Sequence, residues 1–342
     1  MDFPIDIDTI ASGKMSDRTL RGLIRLGLAG DLRRRGSAGI EAQLRDKLEL
    51  VRLLERSPIA VQADAANHQH YEVPTEFFRM VLGLRLKYSA CYFPPGVDDL
   101  DAAEEAMLAL VCERAGVDDG QEILDLGCGW GSLSLYLARR FPGSRILGVS
   151  NSRTQKACID ARIAELGLSN LEIQTADVTT WDAPRPFDRI ISVEMLEHMR
   201  NYAALLARIA AWLRPEGRFF AHIFAHLRFA YVVADNWLAD AFFTGGIMPS
   251  DDLLLYFQGA LRVTDHWRVS GLHYQRTSEL WLQRLDRERE RVLALFAGDV
   301  GDEEALRMFV RWRLFFLVTA ESFGFANGEE WFVSHYLMEK PR

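Results

Sequence analysis

From about residue 118 onward, short apolar runs alternate with amphipathic stretches: EILDLG, SLSLYLARRF, RILGVS, SRTQKACIDARIAELG, LEIQTAD, DRIISV, YAALLARIAAWL and RFFAHIF. The short runs read as strands, and the longer stretches, with apolar residues three and four apart, as helices. Such alternation builds a sheet of mainly parallel strands with helices on both faces, a doubly wound α/β architecture. Ahead of it, SDRTLRGLIRLGLAGDLRRRGSAGIEAQLRDKLELVRLLERS spaces its apolar residues as helices do, with glycines near Gly27, Gly30, Gly36 and Gly39. That predicts a helical leader broken at those glycines. Its arginines are read as a solvated helix face, the commoner alternative to a membrane-surface one. After residue 226 the alternation gives way to an aromatic-rich stretch, LRFAYVVADNWLADAFFTGGIMPSDDLLLYFQGA. It resumes with RVTDHWRVSGLHYQ, two long helical segments and a last strand in EWFVSHYLMEK. The expected division is a helical leader and covering segment at 1–117 and a sheet core at 118–226. A helical cap inserted late in the sheet follows at 227–262, and 263–342 supplies the helices and strands that complete the core.

Composition narrows what this architecture can do. With 342 residues, 49% of them hydrophobic, the chain can bury a sizeable core. Its apolar runs fall short of the roughly 18 to 20 residues of a membrane span. The opening MDFPIDIDTIASGK lacks the basic-then-apolar order of a signal peptide. A soluble, cytoplasmic protein without stable membrane insertion is expected. Cys91, Cys112, Cys128 and Cys158 are far apart, with no C-x-x-C pair, and read as reduced thiols. A net charge of −8 argues against nucleic acid as a partner and favours a neutral or cationic small molecule. The oligomeric state stays open, a homodimer being one of the states allowed.

The first strand-to-helix turn, EILDLGCGWGS, places Gly127, Gly129 and Gly131 where backbone N–H groups can approach a ligand. A dinucleotide site would want its third glycine at Ser132 and a carboxylate at the end of the second strand, which instead ends GVSNS. Asp125 would repel a pyrophosphate but suits a ligand with an ammonium group. S-adenosylmethionine carries such a group and no phosphate. The pattern D-x-G-x-G-x-G resembles the glycine motif of class I methyltransferases, and TADV after the third strand resembles their adenine-contacting turn. The resemblance implies a Rossmann-like fold with S-adenosylmethionine as cofactor and S-adenosylhomocysteine as product. It puts Gly127 and Gly129 at the methionine end, next to Asp125 as the ammonium partner, Asn151, Ser152 and Gln155 at the ribose, and Asp177 and Val178 at the adenine edge.

Upstream, HQHYEVPTEFFRMVLGLRLKYSACYF (68–93) is similar to the leader block of the cyclopropane fatty acid synthase superfamily. There the sulfonium-binding pair matches Tyr88 and Ser89, and Tyr71 falls with the substrate-binding residues. SVEMLEHMRNY, FFTGGIMPSDDLLLYFQ, DHWRVSGLHYQRTSELWLQRLD and ESFGFANGEEWFVSHYLMEK resemble one branch of that superfamily, the coclaurine N-methyltransferase type. Lipid-cyclopropanating members have cysteine where this chain has Ala90, and a late-helix tyrosine where it reads RLFFLV. In those members both groups help hold a bicarbonate. Glu197 and His222, whose counterparts also belong to that bicarbonate site, are retained. The resemblance implies transfer of a methyl group to a small, aromatic-ring-bearing amine of benzylisoquinoline type. The alternative is a cyclopropane-fatty-acid-synthase-type enzyme acting on unsaturated phospholipid acyl chains. A third reading, a noncatalytic cofactor-binding protein, fits poorly with the intact turn beside Glu197 and His198.

An amine must lose its proton before its nitrogen can attack, and VEMLEHM (193–199) supplies carboxylates and a histidine just after the fourth strand. Were that turn helical, Glu194, Glu197 and His198 would share one face. Glu197 and His198 are the expected base pair, with Glu194 assisting in cation attraction or cofactor binding. Acidic residues at a helix start are the plain alternative for Glu194. A metal site is not expected, because the Glu-x-x-His pattern of di-iron proteins is absent and His222 and His226 lack the H-E-x-x-H order. His222 is expected to face the substrate. So, among the late aromatics, are Trp237, Phe242, Tyr256, Trp331 and Phe332, which offer stacking and cation–π surfaces. Glu321 is read as a partner for the ammonium, or else as an ion pair to Arg311 or Arg313.

Overall fold

The computed structural model describes residues 10–11, 15–61, 73–233 and 242–341. Helix α1 (Asp17–Gly36) begins where the Ser16 side chain accepts the Thr19 N–H, with Asp17 in its first turn and Arg33, Arg34 and Arg35 in its last, as the backbone dipole favours. It runs unbroken through Gly27 and Gly30, contrary to the expected breaks. The interruption comes only between Gly36 and Ile40, where α2 (Ile40–Arg56) starts. Packing overrides propensity here, because Leu20, Ile24 and Leu28 form one buried stripe against helix α10 (Asp302–Gly324).

Between these come α3 (Thr75–Val81), α4 (Leu100–Ala115), β1 (Glu122–Leu126), α5 (Ser132–Arg140), β2 (Arg145–Ser150), α6 (Arg153–Leu166), β3 (Leu171–Thr175) and β4 (Phe187–Val193). A 3-10 turn (Leu196–His198), α7 (Tyr202–Trp212) and the long β5 (Leu213–His226) follow. In 227–262 the described residues form β6 (Tyr231–Val232) paired with β7 (Ile247–Met248) and a 3-10 turn (Leu253–Phe257). The chain then adds β8 (Arg262–Val269), α8 (Gly271–Arg287), α9 (Arg289–Val300), α10 and β9 (Trp331–Glu339).

The strand order is β3-β2-β1-β4-β5-β9-β8. The first five strands run parallel, and β9 lies antiparallel between β5 and β8. Apolar layers on each face close the sheet, and strands such as β9 are buried along nearly their whole length. Sequence order reverses between β1 and β4, so the loops after those strands diverge and leave a crevice at their carboxyl ends. Among the described residues no helix is long and apolar enough to cross a membrane.

Candidate active site

The crevice is lined by the glycine turn (Gly127, Gly129), the end of β2 (Ser150, Asn151, Gln155), the turn after β3 (Ala176, Asp177, Val178) and the turn after β4 (Glu194, Met195, His198, Met199). Ala60, Val61 and Thr244 close it from other parts of the chain. Gly127 and Gly129 both have positive φ, +85° and +52°, where a side chain is disfavoured. A Cβ at Gly127 would sit 2.7 Å from the Met195 side chain, whereas one at Gly129 would meet nothing within 4 Å. The open side of the turn is therefore at Gly129. Gln155 is fully buried and its Oε1 accepts the Ser150 hydroxyl at 2.6 Å, yet its Nε2 has no hydrogen-bond partner among the described residues. A buried unpaired amide donor at a crevice wall is what a ligand hydroxyl would satisfy, so the wall fits a ribose.

Of the other residues expected to touch cofactor, Asn151, Asp177 and Val178 line the crevice, and Ser152 caps α6 by accepting the Gln155 N–H. Asp125 is not among the lining residues. Its buried carboxylate accepts the Ser134 hydroxyl at 2.6 Å beneath the turn, and burial pushes its pKa up to about 6. Tyr88 and Ser89 are not among the residues lining this crevice. The Tyr88 ring packs on Phe78 and Trp281, and the Ser89 hydroxyl meets the buried Lys87 ammonium at 2.5 Å.

The three ionisable residues after β4 do not share a helical face. Glu194 has φ +46°, and only Leu196–His198 forms a turn of 3-10 helix. The left-handed backbone of Glu194 costs on the order of 1 kcal/mol or more in a non-glycine residue, and it swings the carboxylate onto three donors. Oε1 accepts the Ala90 N–H at 2.8 Å and meets His222 Nε2 at 3.1 Å, while Oε2 accepts the Tyr274 hydroxyl at 2.8 Å. Burial raises the Glu194 pKa, opposed by the Lys87 charge and by these hydrogen bonds. Glu197 makes a different hydrogen bond from those of Glu194. It is fully buried, its Oε1 accepts the Phe224 N–H at 2.7 Å, and its Oε2 has no partner among the described residues. Burial, then the nearby Glu194 carboxylate, push its pKa well above the ordinary range. His198 faces the crevice, its ring 4.9 Å from that of Phe243.

The remaining expected substrate residues scatter. Tyr71 and Trp237 lie outside the described residues. His222 is buried between Glu194 and His335. Phe242 stacks on Phe315 at 4.6 Å in the core, and Tyr256 sits in the exposed half of a 3-10 turn. Trp331 packs edge-on against His226, and Phe332 lies under the Arg268 guanidinium. Glu321 is buried and paired to Arg21 at 2.7 Å and to Arg25, both on α1. Arg311 instead meets Glu304, and Arg313 meets Asp17 and Asp286. Sequence reading missed Tyr274, His335, Arg114 and Lys87. The one signal available was a histidine, buried in the structure, inside the largely apolar last strand.

A family model described as mycolic acid cyclopropane synthetase matches residues 60–327. (S)-coclaurine N-methyltransferase of Thalictrum flavum subsp. glaucum is 40% identical over 336 residues, covering 96% of this chain and 93% of that protein. Pavine N-methyltransferase of the same plant is 35% identical over 341 residues, covering 98% and 96%. The crystal structure of coclaurine N-methyltransferase bound to N-methylheliamine and S-adenosylhomocysteine superposes with a TM-score of 0.94, at 38% identity and 98% coverage of both chains. The chain belongs to the coclaurine N-methyltransferase-like branch of the cyclopropane fatty acid synthase superfamily. Cyclopropane-fatty-acyl-phospholipid synthase of Escherichia coli (strain K12) stands further off, 30% identical over 63% of this chain and 55% of that protein. As a member of the N-methylating branch, the chain is an S-adenosylmethionine-dependent methyltransferase. The crevice at the ends of β1 to β4 carries the glycine turn and the unpaired Gln155 amide.

Proposed function

We propose that the chain methylates the nitrogen of a small amine bearing an aromatic ring, of benzylisoquinoline type, with the groups after β4 managing the amine's charge and proton. One observation carries this reading. Glu194 and His198 open onto the same crevice as the glycine turn, so a cation drawn to them arrives beside the cofactor. When bound, S-adenosylmethionine supplies the electrophilic methyl group.

The Glu194 carboxylate, held by three donors, attracts the protonated amine to the crevice. His198 is the crevice-facing group whose side-chain type suits proton exchange near neutral pH. Glu197, one residue before it, is buried with one unpaired oxygen, and burial raises its pKa, which favours its protonated form. His198, on the crevice, takes up the proton, and Glu194 holds the cation in line. Phe243 beside His198, and Phe224 beside Phe243 at 5.5 Å, offer aromatic faces to a ring-bearing substrate.

The test is incubation of the purified protein with methyl-labelled S-adenosylmethionine and parallel panels of amines and unsaturated phospholipid vesicles. Label in the amine panel is expected, and label in lipid alone refutes the reading. His198→Ala is expected to lower turnover by about two to four orders of magnitude if it serves as base, and Glu197→Ala by less, because Glu197 is buried off the crevice. Unchanged rates would leave catalysis to positioning alone.

A further inference from the structure

We infer that Arg114 and His335, neither of them on the crevice, are positioning residues that set the direction of a buried hydrogen-bond chain ending on Glu194. The inference rests on the reading of Glu194 as the amine-facing carboxylate. His222 on β5 and His335 on β9 are direct cross-strand partners, so their rings lie together at 4.7 Å with His335 Nε2 3.0 Å from His222 Nδ1. On the far side, Arg114 at the end of α4 places Nη1 2.8 Å from His335 Nδ1. The Trp267 ring, the neighbour of His335 across β8, lies 5.2 Å from the same guanidinium.

A guanidinium only donates hydrogen bonds. His335 Nδ1 must therefore accept, which puts the single proton of a neutral ring on Nε2. That N–H donates to His222 Nδ1, which leaves the His222 proton on Nε2, aimed at Glu194 Oε1 3.1 Å away. Each contact allows one polarity, and the donor-only end dictates all three. Burial holds both histidines neutral, their pKa values well below the ordinary range, with the Lys87 and Arg114 charges acting in the same sense on both and His266 adding to this at His335. Around Glu194 itself stand Lys87, His198 and Tyr274. With the opposite tautomer, His222 would present a lone pair to the carboxylate, and Glu194 would lose one of its three donors.

The same polarity forbids the chain from carrying a proton out of the site. Relay would require Arg114 to accept one, which a guanidinium does not do. The amine's proton therefore does not leave through Arg114, and Arg114, His335 and His222 serve to orient Glu194.

The test reads tautomers directly. In the protein labelled with 15N-histidine and free of substrate, long-range 15N–1H correlation is expected to show Nε2 protonated and Nδ1 bare in both His222 and His335. A proton on Nδ1 of either ring overturns the inference. Arg114→Met is expected to mix the His335 and His222 tautomers and to lower kcat about tenfold, the worth of one charge-assisted hydrogen bond, with S-adenosylhomocysteine affinity within twofold of wild type. Arg114→Lys, still donor-only, is expected to restore both. If Arg114→Met does not fold, His335→Gln and His335→Leu carry the comparison. The glutamine can accept from Arg114 and donate to His222, so it should keep the His222 tautomer and activity while the leucine loses both. Unchanged tautomers in Arg114→Met, or equal behaviour of the two His335 variants, refute the inference. Because the tautomer signal needs no acceptor, it separates a failure here from a failure of the amine reading.

Discussion

Gly129→Ala separates the cost of bending the chain from the cost of filling the cofactor's place. Gly129 has φ +52°, so an alanine there pays roughly 1 to 2 kcal/mol of backbone strain. The added Cβ meets nothing within 4 Å, so no steric penalty follows and the fold should survive. The methyl group would stand in the open side of the turn, however, and intruding on a close-packed ligand costs about 1 to 3 kcal/mol. At 1.4 kcal/mol per decade, S-adenosylhomocysteine should bind about 5- to 150-fold more weakly. Gly127→Ala is the control, with φ +85° and a Cβ that would lie 2.7 Å from Met195. It carries the same backbone strain plus overpacking, so its stability loss should exceed that of Gly129→Ala by about 1 to 3 kcal/mol. Calorimetric titration gives the affinities and urea unfolding the stabilities. Wild-type affinity in Gly129→Ala would show that the cofactor does not approach this turn. Equal destabilisation of the two variants would refute the reading of open space at Gly129.

Three further outcomes follow from the same coordinates. Burial raises the Asp125 pKa from an ordinary 3.8 to about 6, so the folded state keeps a proton that the unfolded chain has lost between those values. Its stabilising effect is full below about pH 4 and fades as pH rises through about 6. Asp125→Asn should remove this slope. Between pH 5 and 7.5 its unfolding free energy should gain about 1.4 kcal/mol on wild type by urea titration, and parallel curves would contradict the burial argument. Glu321 is 2% exposed and paired to Arg21 and Arg25. Glu321→Gln should therefore lower stability by about 2 kcal/mol, the worth of a hydrogen bond to a charged group, while leaving the KM for an amine acceptor within twofold. A large rise in that KM with stability intact would return Glu321 to the substrate site. Glu194→Gln keeps the shape but not the charge, so it should raise the KM for a cationic amine by at least about tenfold, one decade per 1.4 kcal/mol. An unchanged KM would show that the carboxylate does not attract the substrate.

Much of this was legible in the chain alone. Period-two and period-3.6 patterns are local, so the parallel strands, their helices and the cofactor turn could be read from residue order. The glycine spacing, the missing carboxylate after β2 and the charges after β4 carried the chemistry, and the family resemblance stands at 40% identity over nearly the whole chain. The unbroken α1 shows one limit. Gly27 and Gly30 are weak helix formers, and only burial of Leu20, Ile24 and Leu28 against α10 holds them in the helix. The turn after β4 shows another. Spacing implied one face for Glu194, Glu197 and His198, but with a left-handed residue at 194 the turn leaves Glu194 and His198 on the crevice and Glu197 buried off it. Glu321 and Asp125 look like cation seekers in the sequence, and their partners, Arg21 and Ser134, are set by packing. Arg114, His222 and His335 are separated by more than a hundred residues from one to the next. Strand register and the seating of α4 decide that they meet, because hydrogen-bond partners within 3 Å are a property of the folded sheet and not of any local stretch of the chain.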